Sequence, residues 1–144
     1  MAEHGLDSDP KLIARVIHIA LALGVALTFA ILFFVRDAGG EVGGETASLF
    51  RWLTYLFLAG ATAATILMRS RMPAPHPDST AEQWWAANQP RAMVIWAMAE
   101  GVALAGIVFG WVAGELELMV LGVLFGLGLL FIHRPARLEG ERRL

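Results

Sequence analysis

The chain has 144 residues, of which 57% are hydrophobic and 17% charged, and its net charge is −2. An ordinary soluble domain has roughly 45–50% apolar and about 25% charged residues, so this composition argues against a soluble protein. The absence of a basic surplus argues against a nucleic-acid partner, and the absence of cysteine excludes disulfides, zinc–thiolate sites, iron–sulfur clusters and thiol nucleophiles.

Four apolar segments predict four transmembrane helices, at about residues 12–35, 50–69, 91–114 and 115–133. The first contains 20 consecutive residues without a charged side chain and the second contains 17, which is close to the length that crosses a bilayer. The fourth is short, because its uncharged run of 15 residues covers about 22 Å of a hydrocarbon core that is ~30 Å thick. The sequence therefore predicts an all-α membrane protein with one integral membrane domain over residues 1–144.

The segment 70–90, between the second and third predicted helices, is polar and rich in proline. A serine–threonine pair within it is suited to cap a short interfacial helix over residues 80–88. We interpret Trp84 and Trp85 as an anchor in the lipid headgroup layer, where tryptophan is enriched. Contact with a partner protein is the alternative for these two side chains.

Basic residues are distributed unequally between the two sides of this topology. Nine fall on the side of the two termini and segment 70–90, and only Arg36 and Arg51 fall on the other. Since Lys and Arg accumulate on the cytoplasmic side, both termini are predicted to be cytoplasmic, in a bacterial cytoplasmic (inner) membrane. The nine residues are Lys11, Arg15, Arg69, Arg71, Arg91, Arg134, Arg137, Arg142 and Arg143.

Two segments of the chain that lie 77 residues apart are similar to each other. Residues 20–27 and 97–104 share six of eight amino acids. We interpret this as a tandem duplication, which predicts two helical hairpins that each begin and end on the cytoplasmic side. Chance similarity between helices rich in Ala, Leu, Val and Gly is the alternative.

Small residues form a narrow stripe along the third predicted helix, because their spacing of three or four residues places them on one face. Lipid provides no hydrophobic drive for helices to associate, so small residues that let backbones approach are expected at the interfaces. We therefore predict a compact bundle, tightest between the third and fourth helices. The residues are Ala99, Ala103, Gly106, Gly110 and Gly114 on the third helix, Gly122 and Gly126 on the fourth, and the pairs Ala59/Ala63 and Gly60/Ala64 on the second.

Glu100 is the one acidic residue well inside a predicted span, about 13 Å along the helix from Arg91. A bare carboxylate is costly there and no span supplies a Lys or Arg to pair with it, so we expect a protonated carboxyl that faces protein. Thr62 is the expected hydrogen-bond partner, and Thr28 is the next. Three roles stay open for Glu100: structural hydrogen bonding, proton or ion handling, and contact with a cofactor.

His18 and His133 are predicted to lie at one depth near the cytoplasmic interface, where two imidazoles could bracket a haem or a related pigment. Histidines that simply lie at the interface are the alternative, and no cofactor is predicted. The sequence has no metal-ligand spacing, no phosphate-binding glycine loop and no Ser/His/Asp constellation, so we do not expect an enzyme.

Residues 97–109, which carry Glu100 among Ala, Val, Leu and Gly, resemble the ion-carrying helix of the ATP synthase proteolipid ring subunit (subunit c). The preceding Asn-Gln-Pro-Arg at residues 88–91 is similar to the polar loop of that family. The resemblance implies that Glu100 is a proton-binding carboxyl, although it lies on the first helix of its predicted hairpin rather than the second. The chain also resembles small bacterial membrane proteins with four helices.

The small soluble portion favours a non-catalytic accessory or structural subunit of a larger bacterial membrane complex, respiratory or photosynthetic. A proteolipid-like oligomer that conducts protons or ions through Glu100 is one alternative. A small stand-alone transporter or regulatory membrane protein is the other. The expected partners are the lipid bilayer and either other membrane subunits or further copies of this chain.

Overall fold

The computed structural model describes residues 9–36, 44–76 and 78–139. No strand occurs in these ranges, which are helical apart from short connections, and the all-α prediction is confirmed. The helices are α1 (Pro10–Phe34), α2 (Gly44–Ser70), α3 (Ala81–Ala113), α4 (Leu116–Ile132) and the short α5 (Pro135–Leu138). Residues 37–43 and the arginines at 142 and 143, which contribute to the predicted topology, lie outside the described residues.

Three of the described helices, α1, α2 and α3, are long and apolar enough to cross a membrane. Helix α2 begins at Gly44, earlier than the predicted start near residue 50. Helix α4 is apolar but shorter, with 17 residues, so its length is about 25 Å. A span built on α4 therefore needs neighbouring residues or a locally thinner bilayer.

Helix α3 begins ten residues before its predicted start at residue 91, at Ala81. Thr80 is its N-cap: the Thr80 hydroxyl accepts a hydrogen bond from the Gln83 N–H (3.2 Å), and the Gln83 side chain accepts one from the Thr80 N–H (3.1 Å). Pro90 lies inside α3 without ending it. Proline removes only one backbone donor, and packing on both sides of it retains the helix. The predicted interfacial helix 80–88 is therefore the first part of α3.

Helix α3 is the centre of the bundle. It packs most extensively against α4, and α1 and α2 each pack against α3 as well, but α1 and α2 hardly touch each other. Helices α3 and α4 pack together as a hairpin, whereas α1 and α2 do not pack on each other, because α3 provides the surface on which each of them packs. The topology in which each pair begins and ends on the cytoplasmic side stays a prediction from the sequence. The two similar segments also differ in their surroundings, since Gly24 adjoins Glu100, whereas a Cβ added at Gly101 would meet no atom within 4 Å.

The contact between α3 and α4 is a contact between backbones. A Cβ added at Gly106 would lie 2.4 Å from the Cα of Gly122, and one added at Gly126 would lie 2.3 Å from the Cβ of Ala103. Gly114 has a different role from the predicted one: it is the C-cap of α3, with a positive φ of 71° that favours glycine. It therefore ends the helix instead of extending the stripe. The other two members of the stripe, Ala99 and Gly110, are buried.

Candidate functional site

The carboxyl of Glu100 lies between α3 and α1. A Cβ added at Gly24 would be 3.5 Å from Oε1 of Glu100, so the missing side chain at Gly24 leaves room for the carboxyl. Glu100 is half-buried. Among the described residues, no hydrogen bond or ion pair of its side chain is found. The carboxyl therefore borders on protein without being tied to a specific polar partner there.

The two threonines predicted to accompany Glu100 lie in different places. Thr62 does not bond to it, because Oγ1 of Thr62 is buried and has no hydrogen-bond partner in the part of the chain that the structure describes. The reason is the position of α2, which packs beside the face of α3 that carries Gly101, whereas Glu100 adjoins α1. Thr28 is half-buried and lies four residues from Gly24, so it shares the face of α1 that meets Glu100.

A second group of side chains joins α1, α3 and the end of α4. The Trp96 indole donates to the backbone carbonyl of His133 (2.7 Å), and its ring lies edge-on to the ring of His18 at 5.2 Å between centroids. His18 Nε2 donates to the Leu130 carbonyl (2.9 Å), and His133 Nδ1 donates to the Leu129 carbonyl (2.8 Å). The structure thus brings the two histidines together around Trp96, and each uses one ring nitrogen to bind α4.

The interpretation of Trp84 and Trp85 as an exposed interfacial anchor is wrong. Their exposed fractions are 5% and 0%, and the Trp85 ring packs 5.0 Å from that of Trp84 and 6.0 Å from that of Trp96. Because α3 is continuous, Trp85 lies about three turns before Trp96 on the same face, and that face is turned into the protein. We call His18, Trp85, Trp96 and His133 the tryptophan–histidine cluster.

The His133 side chain lies just beyond α4 in a site that disfavours positive charge. Burial lowers the pKa of His133 below its ordinary value of 6.5, the hydrogen bond to the Leu129 carbonyl opposes this, and the nearby charge of Arg69 lowers the pKa further. Trp96 contacts both histidines, so an indole occupies the position beside them. This arrangement favours a structural role for both histidines over haem ligation.

An apolar groove of about 750 Å³ runs between α2 and α3 and is open to the outside of the bundle. Gly60 and Ala64 line it on α2, and Ala97, Gly101 and Phe109 are among the residues that line it on α3. A Cβ added at either glycine would meet nothing within 4 Å. Gly60 and Ala64 were expected in a helix interface, but here they form one wall of an open groove. Ala59 and Ala63, the other predicted pair on α2, are exposed.

Ion pairs between distant parts of the chain lie at the two ends of the bundle. Arg51, about two turns into α2, donates from Nε to Glu115 in the α3–α4 turn (3.0 Å). Lys11 at the start of α1 donates to Glu139, after α5 (2.9 Å). Sequence reasoning missed both pairs because their members are 64 and 128 residues apart, and no local spacing indicates such a contact.

Within the described ranges, no group of three or more His, Asp or Glu side chains is placed to hold a metal ion. Comparisons of the chain with protein-family models, with curated proteins and with solved structures gave no match. The similarity of residues 97–109 to the subunit c helix therefore stays a prediction from the sequence.

Proposed function

We propose that this chain is a non-catalytic accessory subunit of a larger bacterial membrane complex, respiratory or photosynthetic. The proposal is based on the hydrogen bonds that the polar side chains inside the bundle make to backbone carbonyls. Trp96, His18 and His133 all bind backbone carbonyls at the end of α4. Thr54 and Thr65 bind carbonyls of their own helix, α2. Trp96 and His18 thereby join α3 and α1 to the end of α4, whereas His133, Thr54 and Thr65 bind carbonyls of their own helices. All five of these side chains are directed at backbone carbonyls, which suits a structural subunit better than an enzyme or a polar transport path.

The outer surface of the bundle supports the same proposal. Along α1, long apolar side chains recur every three or four residues and are exposed: Leu12, Val16, Ile19, Leu23, Leu27, Ile31 and Phe34. Such a face suits lipid or the transmembrane helices of other subunits, because it offers dispersion contacts without a polar group that needs a partner.

Four spans with both termini in the cytoplasm are part of the proposal. The nine basic residues on one side and two on the other favour this orientation. Helix α4 serves as the fourth span because it pairs closely with α3 along the Gly106–Gly122 contact. Its length of about 25 Å is a modest mismatch with a ~30 Å hydrocarbon core, of the kind that local thinning accommodates.

The test of the accessory role is purification of the native protein in a gentle detergent, followed by mass spectrometry and an absorption spectrum. We expect subunits of a respiratory or photosynthetic complex to co-purify in fixed proportion to this chain. A homo-oligomer without other subunits would contradict the proposal. The spectrum also tests the tryptophan–histidine cluster, because a haem or pigment bound by the chain would absorb visible light.

A proton- or ion-conducting oligomer is the second candidate, and the environment of Glu100 is what favours it. A carboxyl beside Gly24 without a hydrogen-bond partner among the described residues is free to exchange a proton. Under the accessory proposal, Glu100→Gln keeps both assembly and the activity of the complex, because a neutral amide replaces a protonated carboxyl of similar shape.

The decisive measurement is proton movement into vesicles that contain the purified protein, followed with a pH-sensitive dye. Glu117→Gln is the matched control, because Glu117 is an exposed carboxyl in the first turn of α4. Proton movement that Glu100→Gln abolishes and Glu117→Gln leaves intact, with assembly unchanged in both, would establish the second candidate and overturn the first.

A further inference from the structure

We propose that the groove between α2 and α3 binds an acyl chain of an anionic phospholipid, with the lipid phosphate held by Arg71 and Arg91. This site is independent of any protein partner. It has two parts, an apolar channel for the tail and a pair of arginines for the headgroup.

The groove has the shape and polarity that an acyl chain requires. Its lining is built of Leu, Phe, Ala, Gly, Val and Met side chains. On α3 it extends from Val94 to Phe109, which corresponds to about 22 Å of helix. One leaflet contributes about half of the ~30 Å hydrocarbon core, so the groove is long enough for one chain. Phe109 packs against Phe50 (5.6 Å) at the far end.

By their positions along the helices, two arginines lie beyond the end of the groove that is opposite Phe109. Arg91 is three residues before Val94, on the same side of α3, and Arg71 directly follows the last residue of α2, Ser70. Both are exposed, and among the described residues neither side chain has an ion pair or hydrogen bond. Guanidinium groups bind phosphate with paired hydrogen bonds, and basic pockets between transmembrane helices bind anionic lipid headgroups.

The distribution of charge favours a lipid over a transmembrane helix of another protein. A lipid has an anionic group at one end of an apolar chain, which is the order of polarity along this groove. An apolar helix would also fit against Gly60, Ala97 and Gly101, but it would leave Arg71 and Arg91 without a counter-charge. The occupant that satisfies both the groove and the arginines is an anionic phospholipid.

The test uses the full chain, reconstituted in vesicles of equal amounts of phosphatidylglycerol and phosphatidylcholine, extracted in mild detergent and examined by native mass spectrometry. We expect one phosphatidylglycerol to be retained in preference to phosphatidylcholine. The double variant Arg71→Gln/Arg91→Gln should lose this preference, with retention reduced roughly tenfold or more, because charge-assisted hydrogen bonds are lost. Arg15→Gln, which removes one positive charge from α1, is the matched control for the single variants Arg71→Gln and Arg91→Gln and should have no effect.

Groove-filling variants test the tail. Gly101→Leu and Gly60→Leu each place a side chain in the groove without a backbone clash, and both should reduce the retained lipid. Gly128→Leu is the control, because Gly128 also has open space but is not part of the groove. Circular dichroism of each variant verifies that it is folded.

Three results would overturn the proposal. Equal retention of the two lipids by the unmodified chain would show that the site does not select an anionic headgroup. Unchanged lipid retention in the folded variants Gly101→Leu and Gly60→Leu would show that the acyl chain does not bind in the groove and that only the arginines contribute to lipid binding. A dimer that carries no lipid and is broken by Gly101→Leu would assign the groove to a second copy of the chain.

Discussion

The buried imidazole of His133 couples stability to pH at a single residue. Its exposed fraction is 2%, and burial lowers its pKa in the folded protein below the ordinary value of 6.5. In the unfolded chain the imidazole regains that ordinary value and binds a proton more readily. The contribution of His133 to stability is therefore complete above about pH 6.5 and is lost as the pH falls toward the lowered value.

We expect the thermal unfolding midpoint of the detergent-solubilised protein to decrease as the pH is lowered from about 8 to about 5, the range in which histidine titrates. His133→Gln should make the midpoint less sensitive to pH over this range, because glutamine does not titrate. His76→Gln is the control, since the His76 side chain is 75% exposed. Equal pH sensitivity in His133→Gln and the unmodified chain would contradict this assignment.

For individual side chains, residue type and spacing in the sequence indicated some members of the candidate site but not the groups that they contact. The sequence predicted His18 and His133 at one depth, and the structure joins both to α4 around Trp96. It did not reveal Trp96 as the centre of that group, because a tryptophan near a helix end is equally typical of a membrane interface. The burial of Trp85 was missed for the same reason.

Among the elements, α3 and α4 form the closest pair because glycines on both helices remove the side chains that would separate them. The Cα atoms of Gly106 and Gly122 face each other across the interface, and Ala103 faces Gly126. In a membrane, lipid is as apolar as the helix surfaces, so there is no hydrophobic drive for helices to associate. The close approach of α3 and α4 instead stabilises the pair through dispersion contacts between their backbones.

Gly106→Ala should separate α3 from α4, because the new methyl group would lie 2.4 Å from the Cα of Gly122. Moving either helix backbone to relieve this clash costs free energy. We expect a loss of about 1–3 kcal/mol in the free energy of unfolding, as for other overpacked interfaces. Reversible unfolding in mixed micelles measures the change. Gly128→Ala, where the methyl meets nothing within 4 Å, should be neutral or stabilising by up to about 1 kcal/mol because alanine favours the helix. Equal effects of the two substitutions would rule out the backbone contact.

The face of α3 that packs inward was predictable from spacing only over part of its length. The stripe at Ala99, Ala103, Gly106 and Gly110 follows from helical periodicity. Its continuation toward the N-terminus, through Trp96, Ala92, Asn88 and Trp85, has the same periodicity and is also buried. The sequence did not reveal this continuation because Pro90 is a common helix breaker, and only the packing on both sides of it shows that the helix persists.

Over the whole molecule, the sequence indicated the helices but not which of them pack together. Short connections favour contact between successive helices, yet α1 and α2 flank α3 and hardly meet. What distinguishes this arrangement is a set of long-range contacts, such as Glu100 beside Gly24 and Arg51 with Glu115. These depend on the relative rotation of the helices, which composition and spacing do not determine.

The orientation of the whole molecule is testable with single cysteines, because the natural chain contains none. Ser48 and Ser70 are exposed near opposite ends of α2. In intact cells, a membrane-impermeant maleimide should label Ser48→Cys, whereas Ser70→Cys should react only after the membrane is permeabilised. The unmodified chain is the control and should not react. Labelling of both positions from the same side would show that α2 does not cross the membrane.

The central position of α3 has a consequence for biosynthesis. Helices enter the membrane in the order in which they are translated, and α1 and α2 have almost no contact with each other. Each of them therefore lies in the lipid without contact to another helix of this chain until α3 is inserted and packs against both. During that interval the residues of α1 and α2 that α3 later covers, such as Val25 and Leu58, face the lipid instead.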